Sequence, residues 1–292
     1  MREDFSINEA RNAAVEAAQK VGELMRRNLR LSKRVNEVTQ HDIKLELDVR
    51  SQKLIEKRLR SAFPTIALLG EEGIVGDPES EWRWVVDPID GSVNYAYEIP
   101  HASVSIALQR RPAGSDDALS IPKTRARGPR PYPAGADYED GYRTLLGVVY
   151  DPFCDELWTG IRGKPALLNG KATHASKRRK LKEGIVSIGF AKTRESLEST
   201  LPYFNALVHR VRKIRIMGSA ALALTYVASG RFDAYIEGGI RLWDIAAGGL
   251  IIECAGGEFW HEALPGQYSY RMIASNGLLR RQLKVPVSRC QD

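Results

Sequence analysis

Trp84-Val-Val-Asp-Pro-Ile-Asp-Gly-Ser92 is an apolar, strand-like run that ends on two aspartates and hands over to a Gly-Ser pair suited to opening a turn or helix. A strand that delivers Asp87 and Asp90 to one edge concentrates negative charge, which is costly unless a cation sits between the carboxylates. Gly91 and Ser92 then offer backbone N–H groups at a helix start, where phosphate is favoured. Together they point to a phosphate ester held on a metal ion. An Asp-Pro turn whose aspartates only cap backbone groups is the alternative at this stage.

Three further acidic positions share this build. Ala67-Leu-Leu-Gly-Glu-Glu-Gly73 ends a short apolar run in Glu71 and Glu72, and alternation along an extended segment turns one of the pair towards a site. Leu242-Trp-Asp-Ile-Ala-Ala-Gly-Gly-Leu-Ile-Ile252 puts Asp244 at the start of a buried helix, where an N-cap or dipole role is the plain alternative. Asp48 opens the amphipathic stretch from Val49 to Phe63.

With Gly70-Glu71-Glu72, Asp87-Pro88-Ile89-Asp90-Gly91-Ser92 and Trp243-Asp244 followed by Ala246-Ala247-Gly248, the chain resembles the inositol monophosphatase family of Mg²⁺-dependent, lithium-sensitive phosphatases. The resemblance runs from the helix near Ser6 to the strand-like Arg271–Ala274 and implies a layered α/β/α/β/α sandwich, combining an α+β and an α/β half. It implies that Glu71, Asp87, the carbonyl of Ile89, Asp90 and Asp244 ligate two or three Mg²⁺ ions. Asp48 and Ser92, with Glu71, would orient and deprotonate the attacking water. Ser92 replaces the family's usual threonine; its hydroxyl makes the same bond with more rotamer freedom. Substrate contacts would come from Asp90, Gly91, Ser92, Gly218-Ser219-Ala220, Glu237 and Asp244. Arg241 stands where animal members tend to have histidine. A homodimer, inhibition by Li⁺ and a small phosphorylated metabolite as substrate are also implied, with myo-inositol 1-phosphate leading. Histidinol phosphate, fructose 1,6-bisphosphate and 3′-phosphoadenosine 5′-phosphate are rivals on the same fold. A phosphate-binding protein without catalysis is the non-enzyme alternative.

The residues set limits of their own. All candidate ligands are hard oxygens, which suit Mg²⁺. The five histidines (His41, His101, His174, His209, His261) and three cysteines (Cys154, Cys254, Cys290) have no zinc-ligand spacing. No Gly-x-Ser-x-Gly elbow or P-loop is present, so water attack is favoured over a covalent intermediate. Asp90→Asn is expected to abolish turnover while costing little stability, or even raising it, by relieving repulsion among carboxylates.

At 292 residues and 43% hydrophobic content, the chain can bury a large core. The absence of an apolar stretch of membrane-spanning length or a leader-like start, together with three scattered cysteines, leads to the expectation of a cytoplasmic protein. The formal charge of +7 gathers in runs at Arg26–Arg34, Lys177-Arg-Arg-Lys180 with Lys182, and Arg210–Arg215. With no recognised nucleic-acid motif beside them, these read as solvated faces rather than nucleic-acid contacts.

Ser6-Ile-Asn-Glu9 is a capping box before alanines at helical spacing, and a second helix is expected from Val49 to Ala62. Strands are expected at Ile66–Leu69, Arg83–Val86, Ser103–Gln109, Leu145–Tyr150 and Glu156–Ile161, forming a largely antiparallel sheet. After Lys182 an alternation follows: strand Ile185–Phe190, helix Ser196–Arg210, strand Lys213–Met217, helix Ala220–Ser229, strand Asp233–Glu237 and helix Asp244–Cys254. The expected organisation is an N-terminal half (1–183) and a C-terminal half (184–292) packed as one unit. Residues 112–142, rich in proline and near neutral, interrupt a hairpin and read as a flexible insert.

Overall fold

The computed structural model describes residues 5–31, 35–38, 43–111, 137–190 and 194–283. In chain order the elements are α1 (Ile7–Asn28), β1 (Val35–Val38), β2 (Ile43–Leu45), α2 (Glu46–Ala62), β3 (Ala67–Gly70), β4 (Gly73–Val75), β5 (Trp82–Asp90), α3 (Ser92–Ala96), β6 (Ser103–Arg110), β7 (Arg143–Asp151), β8 (Glu156–Ile161), β9 (Leu167–Leu168) and β10 (Lys171–Ala172). They continue with β11 (Ile185–Ile188), α4 (Arg194–Leu207), β12 (Lys213–Arg215), α5 (Ala220–Ala228), β13 (Ala234–Arg241), α6 (Leu242–Cys254), β14 (Glu258–Ala263) and β15 (Ser269–Ser275).

Two sheets form the frame. The first has order β10-β9-β8-β7-β6-β5-β3-β4 and is antiparallel except for the β3/β5 pair; the second has order β12-β11-β13-β15-β14 and is mixed. On the outer face of the first sheet lie α1 and α2, packed through the alanine stripe Ala10, Ala14, Ala17 and Ala18. The small side chains let the helix approach the strands closely, as the capping box at Ser6 and Glu9 and the spacing foretold. The helices α5 and α6, apolar on all sides, fill the space between the two sheets. Against the outer face of the second sheet lies α4. The result is a five-layer α/β sandwich.

Several elements depart from expectation. Both β5 and β13 run further, to Asp90 and Arg241, because register shifts at Asp87/Asp90 and Gly238/Ile240 let each strand pass an irregularity and stay paired. For β5 the shift is forced by Pro88, which has no N–H for the ladder. The second helix begins at Glu46, so Asp48 lies inside its first turn. Short β4, β9, β10 and the later β14 carried too little pattern to be singled out.

Residues 112–136 of the proposed insert lie outside the described residues, as do His41, Cys290 and residues 32–34 of the first basic run. The return arm, 137–142, is built into the fold, which corrects the insert's expected boundary. Tyr142 is buried under the Arg83 guanidinium, 3.7 Å from the ring centroid, and Arg83 also pairs with Asp140 at 2.5 Å. Tyr138 stacks on His261 at 4.4 Å. No helix among the described residues is long and apolar enough to cross a membrane.

Candidate metal and phosphate site

The chain end of β5, the start of α6 and the turn after β3 meet between the two sheets. Asp87 and Asp90 are 2% and 6% exposed, and Asp244 sits in the first turn of α6. Carboxylate oxygens of these three lie within 4.8 Å of one another. Glu71 follows β3, held by its N–H to the carbonyl of Val86 at 3.3 Å, and its charge also acts on Asp87.

Asp87 is held well above the usual carboxylate range, first by burial and then by the charges of Glu71, Asp90 and Asp244. Every influence on it has the same sign. That is the signature of a carboxylate group short of positive charge, and the all-oxygen donor set fits a hard divalent cation. The capping roles seen as alternatives in the sequence are real but do not compete. One oxygen of Asp87 accepts from the Ile89 N–H at 3.0 Å, and Asp244 accepts from the Arg241 N–H at 2.9 Å, while both remain in the cluster.

Asp90 differs from Asp87. Burial raises its pKa, but the Ser219 hydroxyl, the N–H groups of Ala220 (3.0 Å) and Ala221 (2.9 Å) and the Ser103 hydroxyl (3.2 Å) all donate to it. It therefore tethers the start of α5 to the β5 turn. Gly91 makes this approach feasible: its φ is 94°, and a Cβ there would stand 3.1 Å from the Gly218 carbonyl. Asn94 clamps the same junction, donating to the carbonyls of His101 and Met217, each at 2.9 Å.

The Ser92 hydroxyl donates to the Ile89 carbonyl at 2.9 Å. Asp48 accepts from the Leu45 N–H at 2.8 Å and lies close enough to Tyr95, three residues on from Ser92, to help burial raise that phenol. Glu237, on β13, takes a hydrogen bond from the Tyr235 hydroxyl. Its carboxylate lies directly over Gly189, where a Cβ would come within 1.8 Å. Tyr235 is itself held above its ordinary range by burial, then by Glu237, Asp90 and Asp244. Arg241 is exposed, and its guanidinium donates to the Gln267 carbonyl at 2.8 Å.

Thus Asp87, Asp90, Asp244 and Glu71 share one centre, with Gly91, Gly218, Ser219 and Ala220 wrapped against it. Ser92 borders it on α3 through the Ile89 carbonyl, while Asp48, in the first turn of α2, lies beside Leu45 and near Tyr95. The sequence did not single out Ser103, Asn94, Tyr235 or Gln52, whose amide oxygen receives the Glu72 N–H at 3.0 Å and steadies the Glu71 turn. Only Ser103 left a trace: as the first residue of a strand it pairs with Asp90 across the β5/β6 ladder.

The model of the inositol monophosphatase family matches residues 6–113 and 138–281, stepping over nearly the same segment that falls outside the description. Among curated proteins, the chain is 35% identical over 254 residues to "Nus factor SuhB" of Pseudomonas aeruginosa, covering 84% of this chain and 83% of that one. It is 34% identical over 264 residues to "Inositol monophosphatase 1" of Solanum lycopersicum, covering 88% and 86%. Among solved structures, the extragenic suppressor protein suhB of Bartonella henselae superposes with a TM-score of 0.77 at 30% identity, over 96% of this chain and 98% of that one. The inositol monophosphatase of Anabaena does so at 0.75 and 29%, over 96% and 95%.

Proposed function

Since the chain belongs to the inositol monophosphatase family, a class of phosphoric monoester hydrolases, we propose that it hydrolyses a sugar or cyclitol monophosphate, myo-inositol 1-phosphate first, with Mg²⁺ at the acidic cluster. The observation that carries this is the convergence of Asp87, Asp90 and Asp244, with Glu71 beside them, from separate parts of the chain. Two or three bound Mg²⁺ ions supply charge neutralisation at the phosphoryl oxygens and a water acidic enough to ionise near neutral pH. Glu71, Asp87, the Ile89 carbonyl, Asp90 and Asp244 hold the ions.

The remaining residues position the reactants. Ser92 and Asp48, with Glu71, orient the attacking water and take its proton. The N–H groups of Gly91 and Ser92 face the phosphoryl group. Gly218, Ser219 and Ala220 line the alcohol side, although the Ser219 hydroxyl and the Ala220 N–H act first on Asp90. Glu237, fixed by Tyr235, accepts hydrogen bonds from ring hydroxyls. Arg241, at the exposed rim, faces a second anionic group in rival substrates such as fructose 1,6-bisphosphate.

The test is phosphate release from a panel that includes inositol 1-phosphate, histidinol phosphate, fructose 1,6-bisphosphate and 3′-phosphoadenosine 5′-phosphate, with and without Mg²⁺ and Li⁺. Mg²⁺-dependent, Li⁺-inhibited release fastest on inositol 1-phosphate is expected; no release from any ester favours a binding protein. A homodimer is part of the same reading. Exposed Val93, Tyr97 and Ile99 stand around the Asn94 clamp, which reaches Met217 beside exposed Ile216, and sedimentation measures whether this apolar face is shared by two copies. The name of the Pseudomonas relative, together with the +7 charge, favours a role as a Nus factor as a second reading, alongside hydrolysis.

A further inference from the structure

Two of the basic runs that look separate in the sequence, Lys177–Lys182 and Arg210–Arg215, are one surface in the fold. Segment 177–184 and the 3-10 turn Arg280–Leu283 are joined through Gln282, whose side-chain oxygen accepts from the Leu181 N–H at 3.2 Å and whose amide donates to the Arg179 carbonyl at 2.9 Å. The Arg210 guanidinium donates to the Gln282 carbonyl at 3.0 Å, and the Arg212 N–H bonds the Gly184 carbonyl at 2.9 Å. The edge strand β12 then sets exposed Lys213 and Arg215 on one side, two residues apart.

The segments 177–184, 209–215 and 280–283 hold eleven basic residues and one acid, Glu183. Arg178 is spoken for by Asp233, and Arg280 is buried against Trp260. The other nine, Lys177, Arg179, Lys180, Lys182, Arg210, Arg212, Lys213, Arg215 and Arg281, are exposed, and none forms an ion pair with a described residue. Elsewhere arginines are commonly neutralised, as Arg83, Arg143, Arg162, Arg231 and Arg271 show. The chain's excess positive charge is therefore concentrated here.

We infer that this face binds the phosphate backbone of double-helical nucleic acid, without reading sequence. Unpaired cations on a surface fixed by backbone hydrogen bonds suit a regular row of phosphates. None of the three segments contains Phe, Tyr or Trp, so they offer no row of large aromatic rings for stacking unpaired bases. Exposed large apolar residues stand only at their ends, at Val208, Ile216 and Leu278, which disfavours insertion into a lipid surface.

The experiment is fluorescence anisotropy of the full chain with a labelled 20-base-pair duplex from 50 to 200 mM KCl. With about five cations on phosphates, the log–log salt slope should be about −4 to −5. Arg179→Glu/Lys180→Glu/Arg212→Glu/Lys213→Glu should weaken binding at least 30-fold at 50 mM and flatten the slope. Lys53→Glu/Lys57→Glu, on α2 in the opposite outer layer, should change it less than threefold. The corresponding Gln set repeats the test if the Glu set melts early. Duplex binding that is absent, salt-insensitive or unchanged in both quadruple variants overturns the inference. Retention on anionic vesicles but not on duplex also overturns it, as does a quadruple variant whose only loss is kcat/KM on a small phosphate ester, which would make the face a steering field for substrate.

Discussion

Asp87 and Asp90 are neighbours in one turn, yet replacing each with asparagine should move stability in opposite directions when divalent ions are removed. Asp87 has one backbone donor, the Ile89 N–H, and three carboxylates around it. Two full charges at 4.8 Å, the outer limit of the separations in this group, repel by about 3.5 kcal/mol at an effective dielectric of 20, and shared protons relieve part of that. Asn at position 87 keeps an acceptor for Ile89 and gains a donor for Asp244, so Asp87→Asn should stabilise the metal-free protein by about 1–3 kcal/mol, or roughly 2–6 °C in Tm. At position 90 the amide would meet a donor: four groups donate to Asp90, and an NH₂ must face at least one of them. With a buried N–H left unsatisfied and charge-assisted bonds lost, Asp90→Asn should cost about 2–4 kcal/mol. This corrects the expectation, drawn from charge clustering alone, that Asp90→Asn is nearly free. The pH dependence follows from Asp87's raised pKa. The folded state holds that proton more tightly than the unfolded chain, so the stability it contributes is complete below the unfolded value of about 3.9 and is lost as pH rises through the folded one. The advantage of Asp87→Asn should therefore shrink from pH 8 to pH 5.5. Thermal unfolding in EDTA at both values is the assay, and saturating Mg²⁺ should reverse the order by stabilising only the intact ligand set. If both variants shift the same way in EDTA, or the Asp87→Asn gain grows at low pH, the assignment of unbalanced charge to Asp87 is refuted.

Ser92→Ala removes the hydroxyl that bonds the Ile89 carbonyl and should lower kcat about 100-fold, with metal affinity from calorimetry changing less than threefold and Ser92→Thr restoring turnover. Glu237→Ala should raise KM for inositol 1-phosphate about tenfold, a loss of about 1.4 kcal/mol, and leave p-nitrophenyl phosphate within twofold; equal losses on both contradict polyol recognition. Gly189→Ala should reproduce the Glu237→Ala pattern, because its Cβ would meet that carboxylate at 1.8 Å. Replacing residues 112–136 by a short linker should leave kcat unchanged and Tm within about 3 °C, since the return arm is anchored by Tyr138 and Tyr142; a lower kcat would assign the segment a part in the site.

The helices and the central strands were legible because each carries its own period or a strong cap. The Ser6/Glu9 box fixed the start of α1, and β8 spans Glu156–Ile161 as its pattern foretold. Carboxylates at element ends were legible for a related reason: an aspartate after an apolar run has few local uses. The two-residue strands β9 and β10 were not, since pairing rather than pattern creates them. Tyr235 was hidden because a tyrosine in a strand reads as packing until its hydroxyl is seen on Glu237.

Local chemistry along the chain thus determined which groups carry charge and which elements present them. Tertiary structure decided how that charge is balanced, because electrostatic cost depends on separation and burial, neither of which is written in one segment. Only the fold gave Asp90 four donors and left Asp87 among carboxylates. Only the fold drew Lys177, Arg179, Lys180, Lys182, Arg210, Arg212, Lys213, Arg215 and Arg281 onto one face without ion pairs to described residues.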